Sequence, residues 1–124
     1  MELLNSRLKS RFEIHFAVKS NPHPNILKTI GLLKQGADVA SAGELMAALD
    51  CGIQPQKIEF SGPGKTEDEL AAAIECGIGS INVESAEELK HINQVSKKMK
   101  IRSNVGLRLN LDFPKLKSGL RMAG

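Results

Sequence analysis

A ten-residue block repeats inside this chain. Glu44-Leu45-Met46-Ala47-Ala48-Leu49-Asp50-Cys51-Gly52-Ile53 returns, 25 residues further on, as Glu69-Leu70-Ala71-Ala72-Ala73-Ile74-Glu75-Cys76-Gly77-Ile78. In each copy the apolar residues fall at helical spacing, and the glycine after the cysteine supplies the left-handed residue that ends a helix. A short β-prone run follows each copy: Lys57-Ile58-Glu59-Phe60 after the first and Ser80-Ile81-Asn82-Val83 after the second. The repeated unit is helix, glycine stop, strand.

Extending that unit in both directions predicts strands near 14–19, 37–40, 57–60, 80–83 and 104–109. Helices are predicted between them, near 24–34, 43–51, 66–76 and 86–99. Strands alternating with helices at this period call for right-handed βαβ crossovers and a parallel sheet. A solenoid also has a period in this range and stays open, although successive loops here share no consensus. A closed (β/α)8 barrel typically needs about 250 residues, and the pattern stops just after the fifth strand. The expected fold class is α/β, a partial (β/α)8 barrel of about five βα units, apparently truncated and forming one incomplete domain over 1–124. Residues 1–12, with Leu3, Leu4 and Leu8 at roughly helical spacing, are expected to form a helix ahead of the first strand.

Composition agrees with helices packed on aliphatic strands. Of 124 residues 41% are hydrophobic, aromatics make up only 3%, and Trp and Tyr are absent, which disfavours an all-β sandwich. The formal charge of +3 is modest. The short basic cluster Lys97, Lys98, Lys100 and Arg102 is taken as the solvated end of a helix and its loop, not a nucleic-acid patch. Single strands would find almost no aromatic platform. No apolar stretch approaches transmembrane length, and residues 1–12 lack a signal-peptide core. A soluble, cytoplasmic chain binding neither nucleic acid nor membrane is expected. Cys51 and Cys76 sit at the ends of two predicted helices in no metal-ligand spacing, and are expected to be buried, reduced thiols.

In a parallel barrel the carboxyl ends of the strands converge on one face, and chemistry gathers there. The strand ends of this chain are Lys19, Asp38 to Ser41, Ser61 to Lys65, Glu84-Ser85 and Arg108 to Asn110. On spacing alone Lys19 is a solvated strand-end charge. Gly64-Lys65-Thr66 suggests a nucleotide-binding loop, but that motif needs a glycine at position 59, where Glu59 stands. Thr66 with Glu69, and Ser85 with Glu88, instead carry the pattern of capping boxes at helix starts. Glu44 is similarly placed for capping by Ser41. Arg108, inside an otherwise apolar strand, must point into a polar site or lose solvation without compensation. Asp38, flanked by small and apolar residues, needs a partner, which a charge pair with Lys19 or Arg108 would supply. His15, His23 and His91 share no spacing and receive no role.

The string Phe16-Ala17-Val18-Lys19-Ser20-Asn21-Pro22 resembles the lysine motif of the pyridoxal-phosphate enzymes that include the ornithine, arginine and diaminopimelate decarboxylases, and more distantly alanine racemase. Four further segments are similar to the family's second to fifth strands, in order. They are Gly36 to Leu45, Ser61 to Thr66, Ile81 to Ser85 and Val105 to Asn110. The resemblance implies a pyridoxal-5'-phosphate-binding barrel in which Lys19 holds the cofactor as a Schiff base and acts as the catalytic residue. It also implies that Asp38 lies beside that lysine, Arg108 near the cofactor ring and its phenolic oxygen, and a carboxylate, Glu44, near the site. The implied activity is amino-acid decarboxylation on a small-molecule amino-acid substrate, with the cofactor as electron sink.

By the same resemblance the remaining cofactor contacts are expected from later strands, and the β-rich C-terminal domain that completes the site in the family's homodimers is expected to be missing from residues 1–124. The isolated chain is therefore expected to be an inactive fragment. Residues 110–122 look more like the diaminopimelate branch than the eukaryotic ornithine branch. A non-catalytic regulatory relative that binds enzyme partners, and a racemase-like or cofactor-carrier protein, remain the alternatives.

Overall fold

The structure, a computed structural model, describes residues 12–109. The helix expected over 1–12 and the tail 110–124 lie outside the described residues. Five parallel strands form one sheet in sequential order: β1 (His15–Ala17), β2 (Gly36–Val39), β3 (Ile58–Phe60), β4 (Ser80–Val83) and β5 (Val105–Leu107). Four helices connect them: α1 (Pro24–Leu32), α2 (Ala42–Asp50), α3 (Glu67–Glu75) and α4 (Ala86–Met99). Single-turn 3-10 helices follow β1, at Val18–Ser20, and precede β3, at Pro55–Lys57.

Both copies of the repeat end as expected. Gly52 and Gly77 adopt φ of +82° and +64°, a conformation that glycine reaches without a Cβ penalty. In the first copy the amide of Ile53 donates to Ala48 O and that of Gly52 to Leu49 O; Ile78 to Ala73 O and Gly77 to Ile74 O repeat the pattern. These paired bonds satisfy carbonyls that a helix end leaves open, and each places an isoleucine back against its helix. Ile53 and Ile78 are both buried.

The register sorts side chains onto two faces. Ala37 of β2 lies beside Ile58 of β3, and Phe60 of β3 beside Ile81 of β4. These residues, with Val39 and Val83, face the helices and are buried there against Leu27, Leu45, Leu70 and Ile92, one from each helix. Buried residues three apart, such as Leu45 with Ala48 and Ile92 with Val95, form the stripe of an amphipathic helix. The opposite face carries Ala17, Asp38, Glu59 and Ser80 in one row, since Ala17 pairs with Asp38, Asp38 with Glu59, and Glu59 with Ser80. A row further on, Asn82 lies beside Gly106. This polar face, opposite the helices, is the inner face of the sheet.

Three expectations change in detail. The first strand stops at Ala17, because Val18 turns into a 3-10 helix closed by Asn21 N donating to Val18 O (3.0 Å) and by the Ser20 hydroxyl donating to Ala17 O (2.7 Å). Strand β5 spans only Val105–Leu107. Its helix-facing residues Val105 and Leu107 are exposed, since α4 is the last helix among the described residues. Cys51 and Cys76 are free thiols at the ends of α2 and α3 but only half-buried, because a helix's last residue lies at the edge of its packed stripe.

Candidate functional site

At the carboxyl ends of the strands a cleft of about 640 Å³ opens over the inner face. Lys19, Asp38, Asn82 and Arg108 line it, with Ala40, Ser61 to Pro63 and Leu107 completing the wall. Three residues singled out in the sequence, Lys19, Asp38 and Arg108, are thus brought to one place from the ends of β1, β2 and β5. Lys19 owes its position to the 3-10 turn after β1, which lifts its amine out of the sheet. The turn buries Val18 on one side and exposes Lys19 on the other.

Asp38 alternates with the buried Ala37 and Val39, so its carboxylate points to the inner face. The charge pair expected with Lys19 or Arg108 does not form. Among the described residues Asp38 has no ion pair, and its Oδ1 atom is buried without a hydrogen-bond partner. The reason is that Arg108 is held elsewhere: its Nη1 donates to Glu84 Oε1 at 3.1 Å. The same Glu84 oxygen accepts from the amide of Gly62 at 3.0 Å. Glu84 thereby ties the loop after β3 to the end of β5, a role that its sequence position did not reveal.

Glu44 stands apart from the cleft. Its Oε2 accepts from the amide of Ala40 at 2.8 Å, while its own amide donates to the Ser41 hydroxyl at 3.2 Å. The carboxylate closes the start of α2 and is not among the residues lining the cleft. Ser41, Thr66 and Ser85 all cap their helices through the amide three residues on. Only Thr66 with Glu69 forms the full reciprocal capping box. Glu88 instead reaches one residue further back and accepts from the amide of Glu84 at 2.7 Å.

Two residues on the inner face were assigned nothing from the sequence. Asn82 donates through Nδ2 to Ser61 Oγ (3.0 Å) and to Glu59 Oε2 (3.4 Å), which braces β3 against β4 beneath the cleft. His15 lies deeper, 3.7 Å from Glu59 Oε1, with its Nδ1 buried and without a hydrogen bond. His23 caps α1 by accepting from the amide of Asn25, and His91 sits on α4, 4.0 Å from Glu67. Lys65, read as part of a failed nucleotide motif, is almost completely enclosed. Among the described residues no group of three or more His, Cys, Asp or Glu side chains is arranged to hold a metal ion. No helix among them is long and apolar enough to cross a membrane.

An amine, a guanidinium and a partnerless carboxylate are gathered at the carboxyl ends of parallel strands, the face on which a βα-barrel sheet places its chemistry. Residues 1–124 match the profile of the family described as pyridoxal-dependent decarboxylase, pyridoxal binding domain, and the chain belongs to that family. It is 42% identical over 104 residues to diaminopimelate decarboxylase of Zymomonas mobilis, covering 84% of this chain and 25% of that protein. It is 38% identical over 115 residues to the diaminopimelate decarboxylase of Aquifex aeolicus, covering 85% and 27%. The fold is similar to that of diaminopimelate decarboxylase from Helicobacter pylori complexed with L-lysine, with a TM-score of 0.82, 37% identity, and 87% of this chain and 28% of that one covered. The viral arginine decarboxylase of Paramecium bursaria Chlorella virus is more distant, with a TM-score of 0.77 at 28% identity over 92% of this chain and 30% of that one. The chain spans about a quarter of the length of the diaminopimelate decarboxylases it matches.

Proposed function

We propose that this chain forms the lysine-bearing part of a pyridoxal-phosphate-dependent decarboxylase acting on an amino acid of the diaminopimelate type, with Lys19 as the residue that holds the cofactor covalently. The convergence of Lys19, Asp38 and Arg108 in one cleft carries the reading. The cleft suits the group chemically. The Lys19 amine is exposed and uncommitted among the described residues, as attack on an aldehyde requires. Arg108 offers a permanent cation to a phenolate or phosphate oxygen. The buried, partnerless Oδ1 of Asp38 is a polar atom that a ligand's donor would satisfy.

When bound, pyridoxal phosphate supplies an electron sink for the carbon that loses carbon dioxide. The residues of this chain bind and orient it. Lys19 provides the tether, Asp38 a negative charge beside it, and Asn82 and Ser61 a braced polar floor. Turnover by the 124-residue chain alone is not expected.

Borohydride reduction of the chain mixed with pyridoxal phosphate, followed by mass mapping of the labelled peptide, tests the reading. Selective labelling of Lys19 over the other lysines is expected. Labelling spread evenly over the exposed lysines would refute it.

A further inference from the structure

Lys65 is the sole charged residue among the buried side chains of the described region, at 7% exposure. Its side chain is only 2% exposed, a costly place for an ammonium unless every proton is matched. All three are. Nζ donates to Gly62 O at 2.7 Å, to Asn82 O at 2.8 Å and to Glu88 Oε1 at 2.9 Å. The Phe60 ring lies beneath it, 5.8 Å from Nζ to the centroid. No valence is left for a ligand, so Lys65 acts only through what it holds.

What it holds leads to Arg108. Glu88 accepts Lys65 on Oε1 and the amide of Glu84 on Oε2, at 2.7 Å. Glu84 Oε1 accepts the amide of Gly62 and Arg108 Nη1. Gly62, at φ +104°, is thereby gripped at both ends, its carbonyl by Lys65 and its amide by Glu84. The four residues Lys65, Glu88, Glu84 and Gly62 close a ring of hydrogen bonds; of the groups in it or bonded to it, Gly62, Asn82 and Arg108 line the cleft, and Arg108 is the charged one. The path from Lys65 through Glu88 and Glu84 to Arg108 runs cation, carboxylate, carboxylate, cation, so each glutamate has one basic partner. Removing the ammonium would leave the Glu88 carboxylate, 11% exposed, without a counterion and free the loop that aims Glu84.

We propose that Lys65 is a positioning residue for Arg108: the buried ammonium, acting through Glu88, Gly62 and Glu84, sets the guanidinium at the mouth of the cleft. Its consequence for the cofactor rests on the function proposed above; its consequence for the guanidinium does not.

The test is the rate of phenylglyoxal modification of Arg108 in the full chain, mapped by mass spectrometry, with the exposed Arg102 outside the ring as internal reference. In Lys65→Met, modification of Arg108 is expected to accelerate about threefold, the change that follows when a partly exposed ion pair is lost. Arg102 is expected to keep its rate. An equal acceleration of both arginines would mean general loosening and would overturn the proposal, as would no change at Arg108. If Lys65→Met fails to give the native circular dichroism spectrum, Glu88→Gln decides by the same outcomes. A single amide oxygen cannot accept from Lys65 and from the amide of Glu84 in the places the carboxylate serves both. Pyridoxal phosphate labelling of Lys19 is measured alongside. Its absence in the unsubstituted chain would count against the cofactor reading and leave the arginine result standing.

Discussion

Replacing Asp38 by alanine should make the cofactor-free protein more stable while weakening the site. The Oδ1 atom of Asp38 is buried and has no partner among the described residues. An unsatisfied buried polar atom of this kind costs about 1–3 kcal/mol. A second term has the same sign. Asp38 lies directly beside Glu59 in the strand register, on the same face, and adjacent like charges destabilise a sheet by roughly 0.2–1 kcal/mol. Truncation to alanine opens no sealed cavity, because the vacated volume joins the cleft. Because Asp38 is only half-buried, the lower part of these ranges applies, giving a net gain of about 1–2 kcal/mol. For a chain of this size that corresponds to a rise in melting temperature of roughly 4–8 °C. Thermal unfolding of both proteins without cofactor, followed by circular dichroism at pH 7, reads it directly. The same samples taken through pyridoxal phosphate labelling should show reduced modification of Lys19. A melting temperature at or below that of the parent would refute the reasoning, since it would mean that Asp38 contributes to the fold and is not strained by it. Stability gained where ligand contacts are lost is the expected exchange at a binding site.

Two further outcomes follow from close contacts elsewhere. A Cβ at Gly106 would stand 2.5 Å from Asn82 Oδ1, and Asn82 is tied to Ser61 and Glu59, so Gly106→Ala should destabilise by about 1–2 kcal/mol in urea denaturation. In an Asn82→Ala background that penalty should largely vanish, and an undiminished penalty would show that the clash lies elsewhere. Glu69 accepts from the amides of Thr66 and Ala42, and the backbone bond from Thr66, then that from Ala42, holds its carboxyl below the ordinary value of 4.5. A lowered folded value means that its contribution is fully present above about pH 4.5 and is lost as the pH falls through the folded value. Glu69→Gln should therefore lower the melting temperature at pH 7 by a few degrees, near the about 1 kcal/mol of a helix cap. Well below the folded value the gap should shrink, and a gap independent of pH would contradict the assignment.

The architecture was legible because it depends on short-range signals. The repeated Cys-Gly-Ile ending encodes a helix stop that needs no tertiary contact, and the observed helices begin and end within two residues of the predicted ones. Strand ends were less legible. Whether Val18 continues β1 or turns depends on Ser20 and Asn21 bonding back to the chain, and an apolar run looks the same in either case. The cleft residues Lys19, Asp38 and Arg108 could be named because strand ends in a parallel sheet converge by topology and, for Lys19, because Phe16 to Pro22 resembles the family's lysine motif. Their pairing could not. The choice of Glu84 over Asp38 as the partner of Arg108 is set by distances between β2, β4 and β5 that no local pattern carries.

The three glutamates Glu44, Glu69 and Glu88 show how one local motif diverges once units pack. Each stands three residues after a capping hydroxyl and begins from the same sequence signal. Glu44 bonds back only within its own unit, to Ala40. Glu69 closes its own box and also accepts from Ala42, at the start of the preceding helix. Glu88 goes further and takes the buried ammonium of Lys65 from the loop of the preceding unit. Successive units are thus stitched along the rim that carries the cleft, where backbone groups at helix starts would otherwise need water. A carboxylate has two oxygens and a cap needs only one, so the second oxygen is free to reach the neighbouring unit. That spare valence lets Lys65 be buried, and through Lys65 and Glu84 it connects the helix caps to the orientation of Arg108.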